Sequence, residues 1–387
     1  MEAWYDERLE AQARAYDRAQ ALLFLLRFGL LLAMAAAFWA SGLSRSLAEG
    51  LREWFCFPFA WPLICAAFTA LAVFGYEAVL FPLSVLADYS LEKAHGRLGA
   101  EFGEWLRGYL VTLLLEIGIV TGGFTGLHVL MWFFPSLWWV AATGAYAVLV
   151  VGLGEWGPSR LLPRVRPPAA EEDGELEAEL RRVGREAGLE IEGAARWDFE
   201  HQEELEAVRL AGKGRRLRAI FSEQAWRGLG RRERVFLAAR QMAWHRNRAA
   251  LGVQALQVAL AGGVFFGAAR LTDGAARARG LFGAGDPEAL PFLVVSLFSL
   301  AALAGMAAHA AVRRMELKAD RFALRHAGGE AALRACLRSE FERAPFAADA
   351  PAWQVLLRRR MPTAIQRLAQ AKACEAEAGP AGPRPPP

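Results

Sequence analysis

Six apolar runs divide the chain into segments that are long enough to cross a bilayer. An α-helix needs about twenty apolar residues to span the hydrocarbon core, and each run approaches or exceeds that length. The runs occupy residues 21–41, 61–86, 109–133, 137–153, 249–271 and 290–312. The pattern predicts a mainly α, integral membrane protein with about six transmembrane helices.

The polar segments between these runs predict smaller elements. Residues 1–20 carry apolar side chains at helical spacing among charges, which indicates an amphipathic lead-in helix at the membrane interface. Residues 154–248 form a soluble section that opens with a proline-rich connector, 158–168. Helical spacing there predicts a helix at Glu175–Gly188. Alternating positions predict a small β-sheet of three strands, Ala194–Phe199, Leu205–Ala211 and Arg216–Ser222, with a turn at Gly212–Gly214 between the last two.

Two further helices are predicted to be continuous with membrane spans. The stretch Glu233–His245 leads straight into the fifth run, and Glu316–Asp320 lies on the continuation of the sixth. Ala331–Arg343 has the pattern of an amphipathic helix. We therefore expect a lead-in at 1–20, a four-span membrane domain at 21–153, a cytoplasmic domain with two further spans at 154–372, and a disordered tail at 373–387, where proline, glycine and alanine accumulate.

Composition and charge agree with this organisation. The chain is 55% hydrophobic and its net charge is only +4. This small basic excess does not indicate nucleic-acid binding, which requires a clustered basic surface. Basic residues favour the side that carries the N-terminus and the soluble section. This bias predicts a multi-pass cell (inner) membrane protein with both termini in the cytoplasm. The four cysteines have no CxxC spacing, which indicates free thiols.

The order of several motifs resembles the type 1 CAAX prenyl proteases, which are integral-membrane zinc endopeptidases. Phe81–Ser84 followed by Leu91–Gly96 is similar to the family segment LPFS…EE+HGF, and Arg216–Phe221 is similar to its KRIVLF strand. Phe346–Pro351, followed by Pro362 and Gln366–Leu368, is similar to the segment that ends in SHPPLLERI. The resemblance covers nearly the whole chain and implies a metallopeptidase-like core in the cytoplasmic domain.

The metal-binding half of the resembled site is rewritten in this sequence. The family motif HExxHW aligns with Arg240–His245, so Arg240 and Trp244 stand where two histidine ligands would be. A guanidinium is a permanent cation and an indole offers only an N–H donor, so neither binds zinc. Glu316, the counterpart of the third ligand, is present. The resemblance therefore implies zinc, yet we expect no cofactor because two of the three ligands are absent.

The catalytic positions are also altered. Gln241 replaces the glutamate that would take a proton from a zinc-bound water, and an amide has no basicity for that role. Met361 replaces the histidine that helps to hold the reacting carbonyl. Asp320, which in the family orients a histidine ligand, matches.

Two hypotheses concern what the altered residues do. Arg240 could pair with Glu316 and act as a staple between two helices in place of the metal, or it could point to solvent. A metal site could instead use His245, His309 and Glu316. One residue turns a helical side chain by about 100°, so His245 should point away from the old ligand position.

Two acids lie inside apolar runs. Glu77 and Glu116 are expected to face a water-filled chamber of the kind that the resemblance implies, since acids within spans are usually functional. Protonated or interface-directed glutamates are the alternative.

The function predicted from these observations is that of a CAAX protease-like membrane protein without catalysis. It would bind or regulate a membrane-associated or lipidated polypeptide, with the bilayer as its other partner and no nucleic acid. An active metalloendopeptidase with a non-standard site and a structural membrane subunit are the two alternatives.

Overall fold

The computed structural model describes residues 5–58, 60–161, 174–197, 207–213 and 216–378. The chain forms two compact units. A sheet-containing unit comprises residues 1–17, 151–256 and 306–387, and an all-helical unit comprises residues 18–150 and 257–305.

Helices dominate both units. In chain order they are α1 (Glu7–Ala40), α2 (Leu43–Trp54), α3 (Trp61–Ser84), α4 (Leu91–Ala94), α5 (Phe102–Phe133), α6 (Trp138–Leu161), α7 (Gly174–Glu186), α8 (Glu223–Gly228), α9 (Arg231–Arg246), α10 (Ala249–Ala278), α11 (Leu290–His326), α12 (Gly329–Arg343), α13 (Ala352–Leu357) and α14 (Ala364–Ala378). A π-helical segment, Val85–Ser90, joins α3 to α4, and a 3₁₀ turn, Pro287–Ala289, precedes α11.

The prediction of a mainly helical membrane protein with a small sheet is confirmed. Within the described residues, five helical stretches are long and apolar enough to cross a membrane: Glu7–Ala40, Trp61–Ala94, Phe102–Phe133, Ala249–Ala278 and Pro287–His326. The predicted span at 137–153 corresponds to a shorter apolar stretch, Trp138–Gly152, within α6.

The first two helices differ from the predicted pattern. The lead-in and the first span form one continuous helix, α1, because residues 7–40 contain no proline and only one glycine to interrupt it. Helix α2 was not predicted. It is short and amphipathic, and it presents Leu47, Ala48 and Leu51 to the apolar core of the all-helical unit.

The sequence pattern predicts that the helix Glu233–His245 runs straight into the fifth span. In the structure, a break separates the two. Helix α9 stops at Arg246, where Asn247 caps it by donating its backbone N–H to the carbonyl of Ala243. Arg248 then adopts a φ of 48°, in the left-handed region, before α10 begins. A polar Arg-Asn-Arg sequence favours this break because its side chains gain nothing from continuing an apolar helix.

The sheet has the strand order β1-β3-β2. Strand β1 (Glu190–Trp197) pairs parallel with β3 (Arg216–Ser222), and β2 (Val208–Lys213) pairs antiparallel with β3. The third predicted strand is confirmed. The first begins earlier than predicted, and Gly212 and Lys213 belong to β2 rather than to a turn. Of these predictions, residues 198–199, 205–206 and 214 lie outside the described residues.

The C-terminal end also differs from its prediction. Residues 373–378, expected to be part of a disordered tail, belong to α14, which Cys374 anchors to the core and Glu377 ties to Arg321 and Arg325 of α11. Residues 379–387 and most of the predicted proline-rich connector lie outside the described residues.

One apolar core organises the sheet-containing unit. It joins the inner face of the sheet to α7, α9, α12, α14 and the C-terminal part of α11. The predicted apolar stripe of the helix before the sheet is buried as expected, at Leu176, Leu180, Val183 and Ala187. This core holds α9 against α11, and the candidate site lies between these helices.

Candidate functional site

Helix α9 carries Arg240 into the core of the sheet-containing unit. Gly230 is its N-cap residue. The negative charge of Glu233 in the first turn interacts favourably with the positive end of the helix dipole. A stripe of apolar side chains at helical spacing is buried and fixes the rotation of the helix: Val235, Phe236, Ala238, Ala239, Met242 and Ala243. With this rotation, the side chain of Arg240 is only 14% exposed.

Helix α11 supplies two acids from one face. Glu316 and Asp320 are four residues apart, so their side chains lie one above the other. The side chain of Asp320 is completely buried and that of Glu316 is 11% exposed. Two charged carboxylates at these depths require compensation by positive charge or hydrogen bonds.

Arg240 contacts both acids. Its Nη2 donates a hydrogen bond to Glu316 Oε2 at 2.8 Å. Its Nε lies 2.6 Å from Asp320 Oδ1, which is ion-pair distance, but the N–H is not aligned with that oxygen and forms no hydrogen bond. A single guanidinium therefore links α9 to two consecutive turns of α11.

A second arginine completes the cluster. Arg367 of α14 forms a two-pronged hydrogen bond to Asp320, with Nε to Oδ2 at 2.8 Å and Nη2 to Oδ1 at 3.1 Å. Burial acts to lower the pKa of Arg367, but its ion pair and hydrogen bonds with Asp320 raise that pKa above the ordinary value for arginine. Its guanidinium therefore keeps its charge although only 8% of the side chain is exposed.

The four side chains form a charge-balanced cluster that we call the arginine–carboxylate cluster: Arg240, Glu316, Asp320 and Arg367. Two cations face two anions, and the contacts connect three helices, α9, α11 and α14. Such pairing avoids the cost of a lone buried charge, which reaches several kcal/mol per ion.

Among the described residues, the remaining counterparts of the resembled site form no hydrogen bond or ion pair with this cluster. Trp244 is partly buried and packs against the apolar core, and Met361 is 47% exposed. His245 is exposed. In the part of the chain that the structure describes, no group of three or more His, Cys, Asp or Glu side chains could hold a metal ion, so His245, His309 and Glu316 do not form one.

The residues present do not fit a zinc ion. The carboxylate of Glu316 is engaged by a guanidinium at 2.8 Å, which brings a positive charge to the position where a metal would need an electron-pair donor. The indole of Trp244 lacks a lone pair for a metal as well. We therefore derive no catalytic step through zinc at this site.

Comparison with solved structures finds a protein with this architecture. The crystal structure of Ste24p from S. mikatae, a CAAX protease, superimposes with a TM-score of 0.68 and covers 96% of this chain and 90% of its own, at 14% sequence identity. The fold is Ste24p-like. No family profile matches the sequence, and no curated protein matches it. The likeness therefore establishes the membrane fold, while the chemistry must be argued from the side chains.

The two acids within the spans lie in the all-helical unit. Glu77 of α3 accepts a hydrogen bond from the Tyr109 hydroxyl at 3.3 Å and interacts electrostatically with Glu116 of α5. Glu116 itself is exposed on its helix. That these acids line a water-filled chamber stays a prediction.

Sequence reasoning overlooked Arg367 as a site residue. A signal was present, because Arg367 falls on the apolar stripe of its helix, among Ala364, Leu368, Ala371 and Cys374. An arginine in such a stripe needs a buried acid as its partner. Asp320 was the available acid.

Proposed function

We propose that the protein is a membrane-embedded, CAAX protease-like pseudoprotease that binds or regulates a membrane-associated or lipidated polypeptide. The Ste24p-like fold supports a CAAX protease-like membrane protein. The observation that carries the loss of catalysis is the contact of one guanidinium, that of Arg240, with both Glu316 and Asp320.

The chemistry of the site supports binding without hydrolysis. Amide hydrolysis needs an activated water and a group that accepts its proton, and Gln241 and Arg240 supply neither. Recognition of a polypeptide needs only a complementary surface, and affinity that is equal for ground state and transition state gives binding without turnover. A protein that has this fold and lacks the metal ligands can therefore bind a polypeptide without cleaving it.

The test measures binding and cleavage in one experiment. The purified full-length protein in detergent micelles is mixed with a fluorescent, farnesylated peptide that ends in a CAAX sequence. Fluorescence anisotropy reports binding and mass spectrometry reports cleavage. We expect saturable binding, no cleaved product, and no effect of a zinc chelator on either readout.

The matched control is the same peptide without its farnesyl group, which should bind more weakly if the lipid contributes. Cleavage that the chelator abolishes would show an active metalloendopeptidase and refute the proposal. If neither peptide binds, the binding function is wrong and the protein is better described as a structural membrane subunit.

A further inference from the structure

A cavity of about 570 Å³ lies in the all-helical unit and shares no lining residue with the arginine–carboxylate cluster. It is formed where several membrane helices begin or end. These are the starts of α3 and α6 and the ends of α2, α5 and α10, with the loop 279–286 and the 3₁₀ turn that precedes α11. Because the helix ends converge there, the cavity lies at one end of the membrane bundle, where headgroups meet protein.

The charged side chains of the cavity leave a positive excess. Three arginines and two aspartates line it: Arg52, Arg270, Arg277, Asp273 and Asp286. Within the described ranges, only one of the acids is paired with a cation. Asp286 pairs with Arg52 at 2.9 Å, and Asp273 Oδ1 accepts the backbone N–H of Ala284 at 2.9 Å.

Two arginines have no acidic partner among the described residues. Arg270 and Arg277 are seven residues apart on α10, so both project from the same face of the helix, two turns apart. Arg270 stacks over Phe266 at 5.2 Å, and neither guanidinium forms an ion pair with a described acid. Both are exposed and remain able to bind an anion.

A buried donor in the wall of the cavity also lacks a partner. Trp138 is 1% exposed, and its indole Nε1–H has no acceptor among the described residues. A buried polar atom of this kind is uncommon in a folded protein and usually indicates a missing water, ion or ligand. An acceptor oxygen within the cavity would satisfy it.

The rim of the cavity has the character of a membrane interface. Trp61 and Trp132 pack with ring centroids 5.1 Å apart and their planes tilted by 38°, and Phe282 is fully exposed. Tryptophan rings concentrate at the level of lipid headgroups.

We propose that this cavity binds the phosphate group of an anionic phospholipid. The guanidinium groups of Arg270 and Arg277 pair with the phosphate oxygens, since the planar arginine fork matches phosphate geometry. The Trp138 Nε1–H donates a hydrogen bond to the headgroup, and the Trp61–Trp132 pair packs beside the first part of the acyl chains. The site is independent of the proposed pseudoprotease function.

Native mass spectrometry of the full-length protein, released from detergent micelles, tests the proposal. Phosphatidylglycerol and phosphatidylcholine with identical acyl chains are titrated separately, and the bound fraction gives each Kd. We expect phosphatidylglycerol to bind more tightly. The double variant Arg270→Gln/Arg277→Gln should weaken its binding about tenfold or more, since hydrogen bonds to charged groups are the strong ones.

Two further variants separate the donor from general charge. Trp138→Phe keeps an aromatic ring, removes the N–H, and should weaken phosphatidylglycerol binding several-fold. Arg45→Gln is the matched control: it removes an exposed arginine of the same unit that pairs with Glu49 and does not line the cavity. It should leave the Kd unchanged.

Equal affinity of the wild type and the double arginine variant would overturn the proposal, as would equal affinity for the two lipids. Competition decides between lipid and free phosphate. Millimolar inorganic phosphate should not displace the lipid, and displacement by it would assign the cavity to a soluble anion instead. Thermal unfolding midpoints of the arginine variants, both exposed on α10, should stay close to that of the wild type.

Discussion

The guanidinium of Arg240 acts in the opposite sense to a metal ligand. A ligand donates an electron pair to a cation, whereas Arg240 is itself the cation and lies between Glu316 and Asp320. We infer that it joins α9 to α11 as a metal would, with a hydrogen bond to Glu316 and an ion pair with Asp320 in place of coordination. Arg367 balances the remaining charge of Asp320 and extends the connection to α14.

The first prediction concerns the strength of this connection. Arg240→Ala should destabilise the sheet-containing unit by about 3–5 kcal/mol, because removing one partner leaves buried carboxylates without compensation. Arg45→Ala removes an arginine from an exposed pair, with side chains 65% and 54% accessible, and should change stability by less than about 1 kcal/mol. Thermal unfolding in detergent micelles measures both.

A double-mutant cycle with Glu316→Ala isolates the pair from other effects of each substitution. We expect Arg240→Ala and Glu316→Ala to be non-additive by roughly 0.5–3 kcal/mol, the range for residues in one ion-pair network. Strict additivity would mean that Arg240 and Glu316 do not stabilise each other, and the staple would have to be abandoned.

The second prediction concerns Cys336, which packs in the core near this cluster. Burial raises the pKa of its thiol to about 12. The thiol stays neutral at pH 8, so iodoacetamide should modify exposed Cys56 in the folded protein and spare Cys336 until the protein is unfolded. Modification of both at equal rates, read by peptide mass spectrometry, would contradict the buried position.

The same pKa shift has a consequence for stability. An unfolded thiol titrates near pH ~8.5, so the contribution of neutral Cys336 is complete below that pH. It should be lost progressively as the pH rises toward 12. Cys336→Ala should lower stability at pH 7 through lost packing and make the alkaline decline between those values shallower.

At the level of elements, the break between α9 and α10 depends on one residue in an unfavourable conformation. Arg248 has a φ of 48°, which costs a non-glycine residue about 1–2 kcal/mol. Our third prediction is that Arg248→Gly raises the unfolding midpoint. Arg338→Gly, the same chemical change within helix α12, should lower the midpoint, because glycine in a helix interior costs about 1 kcal/mol of stability. Equal effects of the two substitutions would show that the conformation of Arg248 is not strained.

The sequence predicted the elements that rest on strong periodicity. Apolar length located the membrane helices, and the continuation of the sixth run placed Glu316 and Asp320 on one helix with it, as α11 shows. Helix α2 escaped prediction because it is short and only one narrow face packs on the core. The start of β1 escaped because Glu190–Gly193 contains only one large apolar side chain, Ile191, and pairing with β3 decides its extent.

The candidate site was only partly accessible to such reasoning. The resemblance named Arg240, Glu316 and Asp320, yet the Arg240–Asp320 contact depends on how α9 is rotated, which the core packing sets. Arg367 lies 47 residues from Asp320 along the chain. Its place on an apolar stripe indicates a buried acidic partner, but nothing local identifies that partner as Asp320. The cavity of the all-helical unit is formed by the ends of five helices, so no single sequence motif could predict it.

At the level of the whole molecule, each unit contains one of the two sites on which our proposals rest. The sheet-containing unit holds the arginine–carboxylate cluster within an apolar core, and the all-helical unit holds the interfacial cavity. The overall fold is shared with Ste24p at 14% identity. A fold can persist while its site changes, because packing tolerates substitutions that metal coordination does not.

The most direct test of the account is the zinc content of the purified protein after exposure to zinc and removal of loosely bound metal. Elemental analysis by inductively coupled plasma mass spectrometry should find well below about one zinc per chain in the wild type. The triple variant Arg240→His/Gln241→Glu/Trp244→His, with Glu316 as the third ligand, should bind about one zinc per chain. Stoichiometric zinc in the wild type, lost on Glu316→Ala, would contradict the proposal that Arg240 takes the place of a metal at this site.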